Sequence, residues 1–246
     1  MKKLLIFLLV LHSSLFAIVS IKPVDIGEKN SGFSVDMMAS WSSNQGNSET
    51  ESFNFGNAIQ YDAKQTLTFI NASINYGTAK GETNVDKGFI HLRNIYKIVN
   101  HLDWETFVQR QRNAFQSLTS RLLLGGGMRI NGQLPLIGGK AYLGLGAFHV
   151  KEEETSLATK NFARANIYLS YKLKATKNLS LALVSYYQPR FTDLSDYLLL
   201  TTTQFDLKIN KRFSLLLSIN HTMDSLPAQG VSSYDFSQTT ALKYKF

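Results

Sequence analysis

The sequence has no cysteine in 246 residues. A disulfide framework is therefore excluded, and so is lipid attachment to a cysteine at a processed N-terminus. Past the first residues, no stretch approaches the roughly 20 consecutive apolar residues that a membrane-spanning helix needs. No basic cluster carries interleaved aromatics of the kind that tracks a nucleic-acid strand, so no nucleic-acid partner is expected. There is no His-x-x-x-His pair. The triple glycine Gly125 to Gly127 is not followed by the Gly-Lys-Ser/Thr of a phosphate loop. No metal and no cofactor are implied, and Glu152, Glu153 and Glu154 read as a solvated acidic run. Stability must come from a closed hydrogen-bonded architecture or from a good core.

The chain opens with "MKKLLIFLLVLHSSLFA", in which Lys2 and Lys3 precede an apolar run ending in small and polar residues. That is the form of a secretory signal peptide over residues 1–17, with cleavage expected after Ala17. A single N-terminal anchor helix is the rival reading. Residues 18–30 then form a short segment on the periplasmic side. Loss of Lys2 and Lys3 takes the net charge from +8 to +6. A basic exported protein can meet anionic lipid, lipopolysaccharide or small anionic solutes.

From Gly32 onward the hydrophobic period is two, not 3.6. In "FARANIYLSYKL", Ala163, Ala165, Ile167, Leu169, Tyr171 and Leu173 share one face, and Arg164, Asn166, Ser170 and Lys172 the other. "FSVDMMASW" places Phe33, Val35, Met37, Ala39 and Trp41 together in the same way. About twelve such segments follow one another, near 31–42, 50–61, 65–77, 86–98, 101–114, 118–131, 139–150, 161–173, 178–188, 196–209, 212–222 and 234–246. Many run longer than the strands of about 5–6 residues common in soluble sheets. They match the roughly 9–11 tilted residues that cross a bilayer. Long polar loops are expected after strands 1, 3, 7, 9 and 11, and short turns after strands 2, 4, 8 and 10. A bacterial outer-membrane barrel has that asymmetry, with its short turns in the periplasm.

Alternation alone fits a soluble sandwich as well as a membrane barrel. Strand length, loop asymmetry and the aromatic C-terminus decide for the barrel. The expected fold is all-β, a closed antiparallel transmembrane barrel of about twelve strands over residues 31–246, located in the outer membrane of a bacterium. The apolar face meets lipid and the polar face lines the lumen. The closing strand ends in "TTALKYKF", which puts Phe236, Leu242, Tyr244 and Phe246 on the lipid side. The terminal Leu242, Tyr244 and Phe246 resemble the signal that outer-membrane assembly machinery reads, making that machinery an expected partner.

Two stretches resemble one family. "SSNQGNSETESFNFGNAIQYD" is similar to the loop between the first two strands of the salt-induced outer-membrane proteins, the domain of unknown function 481 family. "DSLPAQGVSSYDFSQTTALKYKF" resembles that family's ending through Pro227, Gly230, Asp235, Thr239, Thr240, Leu242, Tyr244 and Phe246. "FVQRQRNAFQSLTSRLLLGGGMRI" resembles its Gly-rich central hairpin. The resemblance implies an outer-membrane barrel and no particular activity.

Catalysis is the sharpest competing idea, since outer-membrane phospholipase A resembles this chain in size and strand number. In that family a nucleophilic Ser lies two residues after the catalytic His on one strand face. Here His91, His101, His149 and His221 are followed at that place by Arg93, Asp103, Lys151 and Met223. The protein is therefore not expected to be an enzyme; His91 reads as a lumen residue and His101 as a turn residue.

Alternation points Arg93, Lys97, Asp103, Glu105, Arg121 and Arg129 into the lumen. Strand direction gathers Lys97, Asp103, Glu105 and Arg129 near the periplasmic end. They form an expected cross-strand charge cluster. It acts either as a plug holding the lumen shut or as a constriction passing small anions. The functional expectation is a narrow channel or structural envelope barrel, linked by the resemblance to salt or osmotic stress. The alternative is a surface adhesion or receptor barrel working through its long loops, and after it a lipid-acting enzyme.

Overall fold

The structure is a computed structural model that describes Ile26 and residues 31–44, 49–114, 118–134, 138–154, 158–227 and 232–245. The expected signal segment lies outside these residues, as do nearly all of 18–30 and Phe246. Among the described residues no helix is long and apolar enough to cross a membrane. Twelve strands succeed one another: β1 (Gly32–Asn44), β2 (Thr50–Asp62), β3 (Thr66–Ala79), β4 (Glu82–Val99), β5 (Leu102–Asn113) and β6 (Leu118–Gln133). The second half comprises β7 (Lys140–Glu154), β8 (Lys160–Lys174), β9 (Leu179–Arg190), β10 (Asp193–Lys208), β11 (Phe213–Asp224) and β12 (Tyr234–Lys245). Each pairs antiparallel with the next, and β12 returns to β1, so the sheet closes on itself. Closure satisfies edges that an open sheet would leave bare. With an even strand number, Gly32 and Lys245 lie at the same end of the barrel.

The two faces fall as alternation predicts. Outside, Phe33 is 78% exposed, Trp41 69% and Leu169 60%. Inside, Arg129 and His91 are each 1% exposed. A soluble sandwich would bury the first set and expose the second. This ring inverts that order, which is stable only where hydrocarbon surrounds it. Phe236 and Leu242 of β12 are exposed on the same outer face.

Two of the expected long loops are instead strand. β3 and β4 run on to the Ala79–Glu82 pair and close through Lys80 and Gly81, whose φ values are 51° and 77°. Two successive residues with φ above zero make the type I′ turn that suits the twist of a hairpin. β9 and β10 likewise reach the Arg190–Asp193 pair, with a register shift between Asp193 and Tyr197. Polar composition marks where these hairpins leave the apolar belt, not where pairing stops.

The lumen also departs from a purely polar lining. Inward positions carry three apolar clusters: Leu67, Phe69, Phe89 and Ile95; Phe107, Leu123, Phe148 and Val150; and Tyr142, Tyr168, Val184, Tyr186, Leu198 and Leu200. Ile26 packs against the first of them. Every buried apolar side chain among the described residues belongs to β3–β10. The four contiguous strands β2, β1, β12 and β11 contribute none. Among the described residues, β1 and β12 register at the closing seam through Asp36 with Lys245 and Met37 with Tyr244. By contrast, β1 and β2 stay paired along their whole length, from Gly32–Asp62 to Asn44–Thr50.

Candidate functional site

Charges cross the lumen in its turn-end half, where Asp103 registers with Lys97 and Arg129 just inside the β4–β5 turn. Asp103 and Glu105 lie on β5, Arg93 on β4 and Arg129 on β6, all at inward positions of adjacent strands. Arg129 donates from Nε and Nη2 to Oδ2 of Asp103 at 3.0 and 2.8 Å. Asn131 adds a third donor to that oxygen at 3.2 Å. Glu105 stands between two guanidiniums, with Arg93 Nη1 at 3.5 Å from Oε2 and Arg129 Nη1 at 3.4 Å from Oε1. These are ion pairs without hydrogen-bond geometry. The hydrogen bond to Glu105 comes from three strands round the ring, where the Tyr168 hydroxyl on β8 donates to Oε2 at 2.8 Å.

That last contact spans a chord of the barrel, because β6 and β7 lie between β5 and β8 in the ring. Gly144 on β7 makes it possible. A Cβ there would stand 1.9 Å from the Tyr168 ring, so only glycine leaves the notch the phenol occupies. Gly125 in β6 plays the same part for Phe107 and Phe148, whose atoms would lie 2.8 and 2.4 Å from an added Cβ.

Above the ion pairs, His91 is stacked against Phe69, Phe89 and Phe107, with ring centroids 6.1, 6.2 and 5.6 Å away. Arg93 Nε donates to His91 Nε2 at 3.2 Å, so Nδ1 carries the proton and donates to Gln109 Oε1 at 2.9 Å. Gln109 passes the chain on to Gln111 at 3.0 Å. Both imidazole nitrogens are thus engaged by polar groups of the lumen, and neither by a serine hydroxyl.

Four of the six residues assigned from alternation come together here: Arg93, Asp103, Glu105 and Arg129. Lys97 does not join. It registers opposite Asp103 but is only half-buried, and takes part in no ion pair among the described residues. Arg121 is inward yet belongs to a different site, eight residues from Arg129 and so roughly 27 Å along the strand. It pairs with Glu152 of β7 at the end where the loops lie. There a second network holds Arg164 Nη2 at 2.5 Å from Asp196 Oδ1, with Arg190 at 3.4 Å from Oδ2 and both guanidiniums over the Phe162 ring. Of the C-terminal trio, Leu242 is exposed outside, Tyr244 packs on Phe213 at 5.0 Å, and Phe246 lies outside the described residues. Tyr168, Tyr186 and Gln109 were not singled out by sequence. The available signal was an aromatic at a polar-phase position of β8, which placed Tyr168 inside.

No group of three His, Asp or Glu stands together to hold a metal among the described residues. What the arrangement does chemically is neutralise buried charge across the bore. Spaces remain on either side: about 160 Å³ toward the loop end and about 1040 Å³ toward the turn end. The space within the cluster, beside His91 and Tyr186, is about 30 Å³, room for about one water.

A closed antiparallel ring that wears its apolar side chains outside and buries its charges defines a β-barrel of the outer-membrane type. Residues 37–246 match the family described as protein of unknown function, DUF481, and the chain belongs to that family. Its fold is similar to the translocator domain of the autotransporter NalP from Neisseria meningitidis, with a TM-score of 0.53 at 12% identity over 90% of this chain and 91% of that one. The beta domain of the Bordetella autotransporter BrkA matches with a TM-score of 0.43 and 9% identity, over 87% of this chain and 98% of that one. The transport unit of AIDA-I from Escherichia coli matches at 0.40 and 14% identity, over 91% and 93%. No curated protein sequence matches the chain.

Proposed function

We propose that this protein is a structural barrel of a bacterial outer membrane whose lumen is sealed by its own side chains. The observation that carries the reading is the Tyr168–Glu105 bond, which cuts across the bore between β5 and β8, three places apart in the twelve-strand ring. Arg93 and Arg129 flank it, so a passing ion would meet a neutralised, packed layer instead of a ring of one sign. In this setting the short turns face the periplasm. Membrane lipid and lipopolysaccharide surround the belt, and the assembly machinery receives β12. The salt or osmotic-stress setting implied by the family resemblance suits a barrel that seals. The protein has no catalytic part in this reading. The adhesion alternative loses one of its loops, because β3 and β4 join through two residues.

Planar-bilayer recordings test this. The wild-type protein should give no channel events, and Glu105→Ala combined with Tyr168→Ala should give discrete ones. Steady, reproducible conductance from the wild type would overturn the sealed reading in favour of a narrow channel.

A further inference from the structure

The space at the turn end is a blind cup of about 1040 Å³, open outward and floored toward the plug by Tyr142. Its wall is strongly one-sided in charge. Lys140 and Lys172 contribute from β7 and β8, Lys174 and Lys208 from the ends of β8 and β10, and Lys211 and Arg212 from the turn between β10 and β11. Lys243 of β12 completes the set, facing the cup's acidic residues Asp36 and Asp206 at 3.4 and 3.9 Å. Seven cations thus meet two carboxylates.

The cations are held together by design of the strands, not by chance of a surface. Lys140 and Lys172 are directly registered partners across β7 and β8. Like charges directly opposite in a sheet are destabilising. Both ammonium groups lean on the ring of Tyr142, at 5.2 and 5.8 Å, while Arg129 of the plug approaches the same ring at 5.2 Å. The negative face of the ring offsets part of the repulsion, and an anion resting in the cup would offset more. The rim is also fixed in place. Asn210 Oδ1 accepts the backbone N–H groups of Arg212 and Phe213 at 2.8 and 2.9 Å. Thr176 Oγ1 does the same for Asn178 and Leu179 at 3.2 and 3.0 Å. Side-chain caps of this kind hold the turns that present the charges.

We infer that this cup is a binding site for a phosphate-dense anion presented from the periplasmic side. Six of the seven cations are lysines, compact point charges that suit a concentrated phosphate charge. The planar fork that arginine offers a carboxylate is nearly absent. The volume admits a ligand with more than one phosphate, and seven cations against two carboxylates favour one of high charge. A soluble polyphosphorylated solute and a lipid headgroup share this chemistry. The site uses the plug only as its floor, and binding is read separately from conductance, so either reading can fail alone.

The test is calorimetric titration of the full barrel in a zwitterionic detergent with tripolyphosphate. The wild type should bind at one site per barrel, with affinity falling steeply as salt is raised. Lys140→Gln combined with Lys172→Gln should weaken binding roughly tenfold or more. Lys208→Gln with Lys211→Gln should weaken it as well, and these positions lie on the rim, where folding is not at risk. Lys151→Gln, at the opposite end of β7, should leave affinity within about twofold. Repeating the titration in nanodiscs distinguishes the sources: competition by cardiolipin, whose headgroup carries two phosphates, absent with phosphatidylcholine, assigns the site to a headgroup, and no competition assigns it to a free solute. No saturable binding by the wild type, or an equal loss in Lys151→Gln, would overturn the proposal.

Discussion

Glu105 accepts the hydroxyl of Tyr168 while standing between Arg93 and Arg129, at 5% exposure. Its charge is what makes two buried guanidiniums tolerable in the bore. Glu105→Gln keeps the shape and removes the compensation, and breaking a buried pair by losing one partner costs about 3–5 kcal/mol. Urea unfolding in lipid vesicles should show a loss of that order. Arg112 with Asp86 makes a shorter ion pair, at 2.7 Å, but the arginine is 54% exposed. Arg112→Ala should therefore change stability by only about 0–1 kcal/mol. Equal losses at both positions would refute the distinction. At this scale the sequence was partly legible. Alternation placed Arg93, Asp103, Glu105 and Arg129 inside, because phase is a local property of a strand. It could not bring Tyr168 to Glu105, since that contact joins strands that are not neighbours and depends on the notch at Gly144. It also could not separate Lys97 from the cluster, because phase gives a side but not a depth.

Strand β8 shows what an element can and cannot disclose. Its outward set, from Ala163 through Ile167 and Leu169, was readable to within a residue, and β8 spans Lys160–Lys174 where alternation gave 161–173. The cost of a charge on this face should depend on depth. Ile167→Arg, at the middle of the belt, should destabilise by about 2–4 kcal/mol, and Ala163→Arg, near the loop end, by about 0–1 kcal/mol. Unfolding in vesicles of both proteins checks this, and equal costs would mean that hydrocarbon does not cover the face. The ends of elements were less legible than their middles. In "TAKGETNV" the polar residues suggested a loop, yet pairing continues to Ala79–Glu82 and the chain turns on Lys80 and Gly81. Leaving the hydrocarbon changes the preferred side chains but removes none of the backbone's reason to pair.

Across the whole molecule, closure depends on the seam between β1 and β12, where two registered pairs stand among the described residues. Met37 and Tyr244 are partners there, and the chain has no cysteine of its own. Met37→Cys with Tyr244→Cys therefore creates one unambiguous disulfide, closing a loop long enough to remove up to about 4–5 kcal/mol of unfolded-chain entropy. Under oxidising conditions the folded gel mobility should survive to a higher temperature than under reducing ones. Equal temperatures would show that the seam is not where the barrel opens. Strand number and closure followed from twelve alternating segments and the aromatic tail, whereas the uneven filling of the interior did not, because it depends on which inward side chains meet. That unevenness has a mechanical result. Strands β3–β10 are braced from within by packed rings and aliphatic chains, while β11, β12, β1 and β2 form an unbraced panel. Squeezed by a change in bilayer tension, the cylinder should flatten along that panel first and turn oval, while its braced flank keeps its curvature.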